Sequence, residues 1–82
     1  MKVSRLKELL KEGHELEFEY GGKKYSLTWS DLEGESGVLS FCEFQKEDIA
    51  SSDIDEILDA VYNGQKVADI IEALDEKEVD IF

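Results

Sequence analysis

The 82-residue chain reads as a single α+β domain spanning residues 1–82. The expected architecture is an N-terminal helix, a three-stranded antiparallel sheet, two C-terminal helices packed on one face, and a short C-terminal edge strand as an option. Three observations predict it. A strictly alternating stretch folds back on itself about Gly21-Gly22; helical periodicity brackets that stretch on both sides; and neither a proline nor a low-complexity linker interrupts the chain. A hydrophobic fraction of 41% suffices for one packed core and is too high for a disordered acidic tail.

Residues 3–12 place Val3, Leu6, Leu9 and Leu10 on one side of a helix, with Gly13 where a left-handed C-cap belongs. Lys2, Arg5, Lys7 and Lys11 take the opposite side. Glu15 to Trp29 then alternates with period two, and two glycines supply the positive φ angles of a tight hairpin. The implied register sets Tyr20 against Lys23, Phe18 against Tyr25 and Leu16 against Leu27. One face carries Leu16, Phe18, Tyr20, Tyr25, Leu27 and Trp29, and the other sets Glu19 opposite Lys24.

A polar loop is expected over residues 31–37. Residues 38–44 follow as a third strand by β-propensity, although the alternation is imperfect. Val38, Cys42 and Phe44 share one parity, Leu39 and Phe41 the other. A one-residue slip exchanges the two sets, so which face is buried stays open, and in either register at least two large apolar side chains point away from the helices.

Ile54, Ile57, Leu58 and Val61 repeat the i, i+3, i+4, i+7 spacing, as do Val67, Ile70, Ile71 and Leu74. Ser51 or Ser52 is positioned to cap the first of these helices, and Asn63-Gly64 breaks the pair into a short helical hairpin. The alternating tail 78–82 fits an edge strand somewhat better than an extension of the last helix.

Charge is divided unevenly. Residues 1–30 hold six bases and five acids, whereas residues 31–82 hold three bases and sixteen acids, within a net charge of −12. Such a field repels phosphates and anionic membranes and attracts basic surfaces, so neither direct nucleic-acid binding nor a membrane partner is expected. The opening residues lack the apolar run of a signal peptide, and no stretch approaches the length of a membrane span. With one cysteine, Cys42, no internal disulfide forms; a reducing, cytoplasmic location follows as an expectation.

Catalytic motifs are not found. A nucleophilic cysteine needs a neighbouring base. The single His14 lies opposite Trp29 at the open end of the hairpin, while Cys42 falls near Lys24 or Tyr25, roughly 13 Å away along the strands. One histidine and one cysteine do not make a zinc site. Asp31, Glu33 and Glu35 alternate in a glycine-containing loop, yet the calcium-loop pattern requires glycine and glutamate where Ser36 and Cys42 stand. Nothing matches a phosphate-binding glycine loop. The expectation is a chain that is not an enzyme and uses no cofactor or metal.

What remains is the acidic face of the C-terminal helices. Asp53, Asp55, Glu56, Asp59, Asp69, Glu72, Asp75 and Glu76 occupy its polar positions with few compensating lysines, and like charges at i, i+4 such as Asp55 and Asp59 destabilise a helix slightly. A basic protein partner docking on these eight residues would relieve that repulsion. The alternative is a self-associating domain, a homodimer closed through the open sheet face or an edge.

The stretch Glu15–Leu27, followed by a helix pair split at Asn63-Gly64-Gln65-Lys66, resembles small uncharacterised cytosolic proteins of Gram-positive bacteria and their prophages. That resemblance is structural and implies no particular activity. The order of elements, the acidity and the length are also similar to certain small anti-CRISPR proteins that imitate DNA. This second likeness rests on architecture and charge, and it implies an inhibitor-like role against a nucleic-acid-handling protein.

Overall fold

The computed structural model describes residues 1–32 and 35–82. Helix α1 (Val3–Lys11) is followed by β1 (Leu16–Tyr20), β2 (Lys23–Leu32), β3 (Glu35–Glu43) and β4 (Asp48–Ser51). The chain continues through α2 (Ile54–Asp59), β5 (Val61–Tyr62), β6 (Gln65–Lys66) and α3 (Val67–Glu72). A turn of 3-10 helix at Glu76–Glu78 leads into β7 (Asp80–Ile81). Strands β4-β3-β2-β1-β7 form one antiparallel sheet, and β5 and β6 form a separate small hairpin.

The α+β class holds, but the main sheet has five strands rather than three. The expected C-terminal edge strand is β7. Its register sets Ile81 against Leu16 and Asp80 against Glu17. Strand β4 was not anticipated, because Asp48-Ile49-Ala50-Ser51 offers a single large apolar residue, which is typical of a short edge strand. The turn before it also lacks a glycine. Gln45 takes the left-handed conformation itself, at φ 64°, while the Lys46 amide bonds back to the Glu43 carbonyl.

Local chemistry accounts for the well-predicted elements. Gly13 (φ 90°) ends α1 in a Schellman motif: the His14 amide donates to the Leu9 carbonyl and the Gly13 amide to the Leu10 carbonyl. The β1–β2 hairpin has the expected register, Leu16 with Leu27, Phe18 with Tyr25 and Glu19 with Lys24. The third strand begins earlier than residue 38, and β2 reaches Leu32. Much of the expected 31–37 loop is therefore strand, with a bulge between Ser30 and Leu32.

Pairing with β2 fixes the face of β3. Leu39 lies opposite Trp29 and Phe41 opposite Leu27, so both enter the core, while Val38, Ser40 and Cys42 take the other parity. Cys42 pairs with Ser26, one residue beyond Tyr25 and two beyond Lys24, the expected neighbours.

The C-terminal region departs most from expectation. A β-hairpin, not a helical hairpin, joins α2 to α3. Asn63 (φ 51°) and Gly64 (φ 81°) form the two central residues of its turn, both left-handed as a type I′ turn requires. Each flanking helix is only six residues long, and Val61, assigned by periodicity to the first helix, lies on β5 with 63% of its surface exposed. The cap of α2 is Asp53, whose side chain accepts from the Asp55 amide; Ser51 supports it one step back by accepting from the Asp53 amide.

All three helices cover one side of the sheet. Leu6, Leu9 and Leu10 of α1, Ile57 and Leu58 of α2, and Val67, Ile70 and Ile71 of α3 close over Leu16, Leu27, Leu39 and Phe41. At one end of this core Phe18, Tyr25 and Phe41 stack across three strands, with neighbouring ring centroids 5.5–6.2 Å apart. Tyr62 of β5 closes the row edge-on, 5.3 Å from Phe41. Its hydroxyl donates to the Glu47 carbonyl at 2.5 Å and accepts from the Glu43 amide at 3.0 Å, while the Asn63 side chain donates to the Tyr25 hydroxyl and to Glu43. The small hairpin is thereby clasped to the end of β3.

Candidate acidic interface

The eight acids singled out above all lie exposed on the helical side of the molecule. They do not form a uniform field, because α1 runs among them. Lys7 Nζ lies 2.6 Å from Asp55, and Arg5 lies 3.6 Å from Glu76 and 3.7 Å from Glu8. The hydrogen bond and charge of Asp55 raise the Lys7 pKa above its ordinary value of 10.5, with smaller contributions from Asp59 and Asp53. The acids of α2 thus cluster about one lysine of α1.

Three further acids are engaged by local hydrogen bonds. Asp53 caps α2, Asp75 accepts from the Lys77 amide at the start of the 3-10 turn, and Glu56 accepts from the Ser51 hydroxyl at 2.7 Å. Asp59, Asp69 and Glu72 have no hydrogen-bond or ion-pair partner among the described residues and project into solvent. Periodicity placed these side chains on the outer surface; it gave no sign that α1 would supply two of them with counter-ions.

The opposite side of the sheet carries a second acidic surface. Because paired residues of antiparallel strands share a face, Asp80, Glu17, Ser26, Cys42 and Asp48 form one row across all five strands. Thr28, Ser40 and Ala50 form the next row. No helix of the described residues covers this face.

Two large aromatic side chains stand on it. Phe44 follows Cys42 by alternation, its amide donating to the Lys24 carbonyl at 2.8 Å, and it is 48% exposed. Phe82 exchanges two backbone hydrogen bonds with Glu15, which continues the β1–β7 ladder by one pair, and it is 64% exposed. Around Phe44 an open groove of about 490 Å³ is bordered by Glu17, Glu19, Glu78, Asp80 and Lys24, four carboxylates against one ammonium. The mixed parity of residues 38–44 was the available signal, and it left open which set of side chains faces outward.

The chemistry-bearing residues do not converge. His14 Nδ1 lies 2.9 Å from the Phe82 carbonyl and Nε2 3.5 Å from Glu12, at the rim of the sheet. Cys42 Sγ lies 3.6 Å from the Ser26 hydroxyl on the outer face, on β3, three strands away from β7. Among the described residues, no group of three or more histidine, cysteine or carboxylate side chains is arranged to hold a metal ion. Of the loop acids weighed for calcium, Glu33 lies outside the described residues. No helix of the described residues is long and apolar enough to cross a membrane.

Comparison with known proteins finds no matching family model, no matching curated protein and no matching solved structure.

Proposed function

We propose that this chain is a non-enzymatic, acidic protein-binding module that docks on a basic partner, with a nucleic-acid-handling protein as the class that most often carries such a surface. The observation that carries the reading is the state of the eight carboxylates on the helical side: all are exposed, and only Asp55 and Glu76 lie within salt-bridge distance of a cation among the described residues. Exposed charge of one sign speeds encounter with an oppositely charged surface and selects among partners more than it adds affinity. The unpaired Cys42 accords with a reducing, cytoplasmic setting for that encounter.

The test is retention of basic proteins on the immobilised chain. Retention at low ionic strength that fades as salt rises supports the reading. Retention that is indifferent to salt, or no retention of any basic protein, would overturn it.

A further inference from the structure

We infer that the docking centre for a basic partner is the outer face of the five-stranded sheet, and that its occupant is an extended, arginine-rich protein segment carrying two apolar side chains about six residues apart. This rests on the reading above and moves its focus from the helices to the opposite side of the molecule. Three features of that face converge. No helix of the described residues covers it, its groove holds four carboxylates against a single lysine, and it presents two exposed phenylalanines. The helical side offers charge without a comparable apolar anchor, since Ile57, Leu58, Ile70 and Ile71 are all spent in the core. Charge steers an encounter, whereas the desolvated centre of an interface is built from large side chains such as Phe44 and Phe82.

The layout sets the length of the occupant. Phe44 and Phe82 are separated by three strand spacings and by about four residues along the strands, which places them roughly 20 Å apart on the diagonal. An extended chain covers that distance in about six residues. The diagonal between them crosses β2 at Ser26, a side chain small enough to let a backbone lie close, and β1 at Glu17, with Cys42 and Asp80 to either side in the same row. A second copy of this chain is the poorer occupant: face-to-face stacking would set Glu17, Glu19, Glu78, Asp80 and Asp48 against their own counterparts, and like charges oppose association.

The probe is a synthetic nine-residue peptide with leucines at its second and eighth positions and arginines between them, compared with the same peptide carrying glutamines for arginines. Binding is followed by fluorescence anisotropy of the labelled peptide. Phe44→Ser, Phe82→Ser and the pair Glu78→Lys/Asp80→Lys alter only exposed side chains, and circular dichroism verifies that each variant keeps the fold. Each is expected to weaken the arginine peptide by about tenfold, whereas Asp69→Lys/Glu72→Lys on α3 changes it by less than about twofold.

Loss of binding in the α3 variant with the sheet variants unaffected would overturn this docking surface and leave the acidic-module reading standing. Equal losses in both sets would overturn it as unspecific attraction to acid, and so would equal affinity for the glutamine peptide. Failure of the wild type to bind the peptide overturns it as well, and the retention assay above then decides separately whether the broader reading survives. A sedimenting dimer that Phe44→Ser disperses would assign the face to a second copy instead.

Discussion

Tyr62→Phe isolates the clasp that holds the β5–β6 hairpin against the sheet. The substitution keeps the ring, with its edge-on contact to Phe41, and removes only the hydroxyl that bonds the Glu43 amide and the Glu47 carbonyl. Each such hydrogen bond contributes about 1 kcal/mol net, and the partly buried Glu43 amide is left without its acceptor, so the expected loss is about 1.5–2 kcal/mol. For a domain of this size each kcal/mol moves the melting temperature by roughly 4–8 °C, which puts the midpoint about 6–16 °C lower. Tyr62→Ala also discards the aromatic contact and opens a cavity, for a total of about 3–5 kcal/mol. Thermal and urea unfolding followed by circular dichroism give both numbers. Amide hydrogen exchange should quicken at Glu43 in the phenylalanine variant. A Tyr62→Phe protein within about 0.3 kcal/mol of the wild type, with Glu43 still protected, would refute the clasp and leave the small hairpin an incidental turn.

Three other outcomes follow from the same structure. Gly13→Ala meets no neighbouring atom, so its whole cost is the left-handed backbone at φ 90°; a loss of about 1 kcal/mol in urea unfolding is expected, and an unchanged midpoint would contradict the Schellman cap. Lys7→Gln should lower the melting temperature slightly at low salt and less at high salt, because the lysine is partly exposed and its pairing with the exposed Asp55 is screened. Since the folded-state pKa of Lys7 is raised, its stabilising contribution is fully present below pH 10.5 and lost as the pH rises through the elevated value. Wild type and Lys7→Gln should therefore differ around neutral pH and converge both in strongly alkaline solution and once acid protonates Asp55, and an unchanged difference across that alkaline range would contradict the assignment. Phe44→Ser should leave thermal stability within about 0.5 kcal/mol of the wild type, as expected for a half-exposed side chain outside the core; a larger loss would show that Phe44 supports the fold.

How far the fold could be read depended on whether local and tertiary signals agreed. Around Gly21-Gly22 they did: alternation on both sides and a turn demanding positive φ left one register, and Leu16, Phe18, Tyr25 and Leu27 occupy it. In the C-terminal third two local signals conflicted. The i, i+3, i+4, i+7 spacing of Ile54 to Val61 suggested helix, while Asn63-Gly64 is the strongest short hairpin signal a sequence carries. The turn prevailed because both positive-φ residues occupy the sites a type I′ turn offers, and Val61 and Lys66 pair across it.

Strand β4 was illegible for a different reason. An edge strand needs only one core side chain, here Ile49, and its pairing is decided by the neighbouring Phe41 rather than by its own pattern. At the candidate interface, amphipathic spacing correctly placed the acids outside. Their pairing with Lys7 and Arg5 depends on how α1 crosses α2 and α3, which no periodicity encodes.

The most direct measurement is an amide chemical-shift map of the isotope-labelled chain titrated with the arginine peptide. Perturbations concentrated on Glu17, Glu19, Lys24, Phe44 and Asp80, diminishing as salt is added, are the predicted result. Shifts gathered on α2 and α3, or spread evenly over the molecule, would contradict a docking centre on the uncovered sheet.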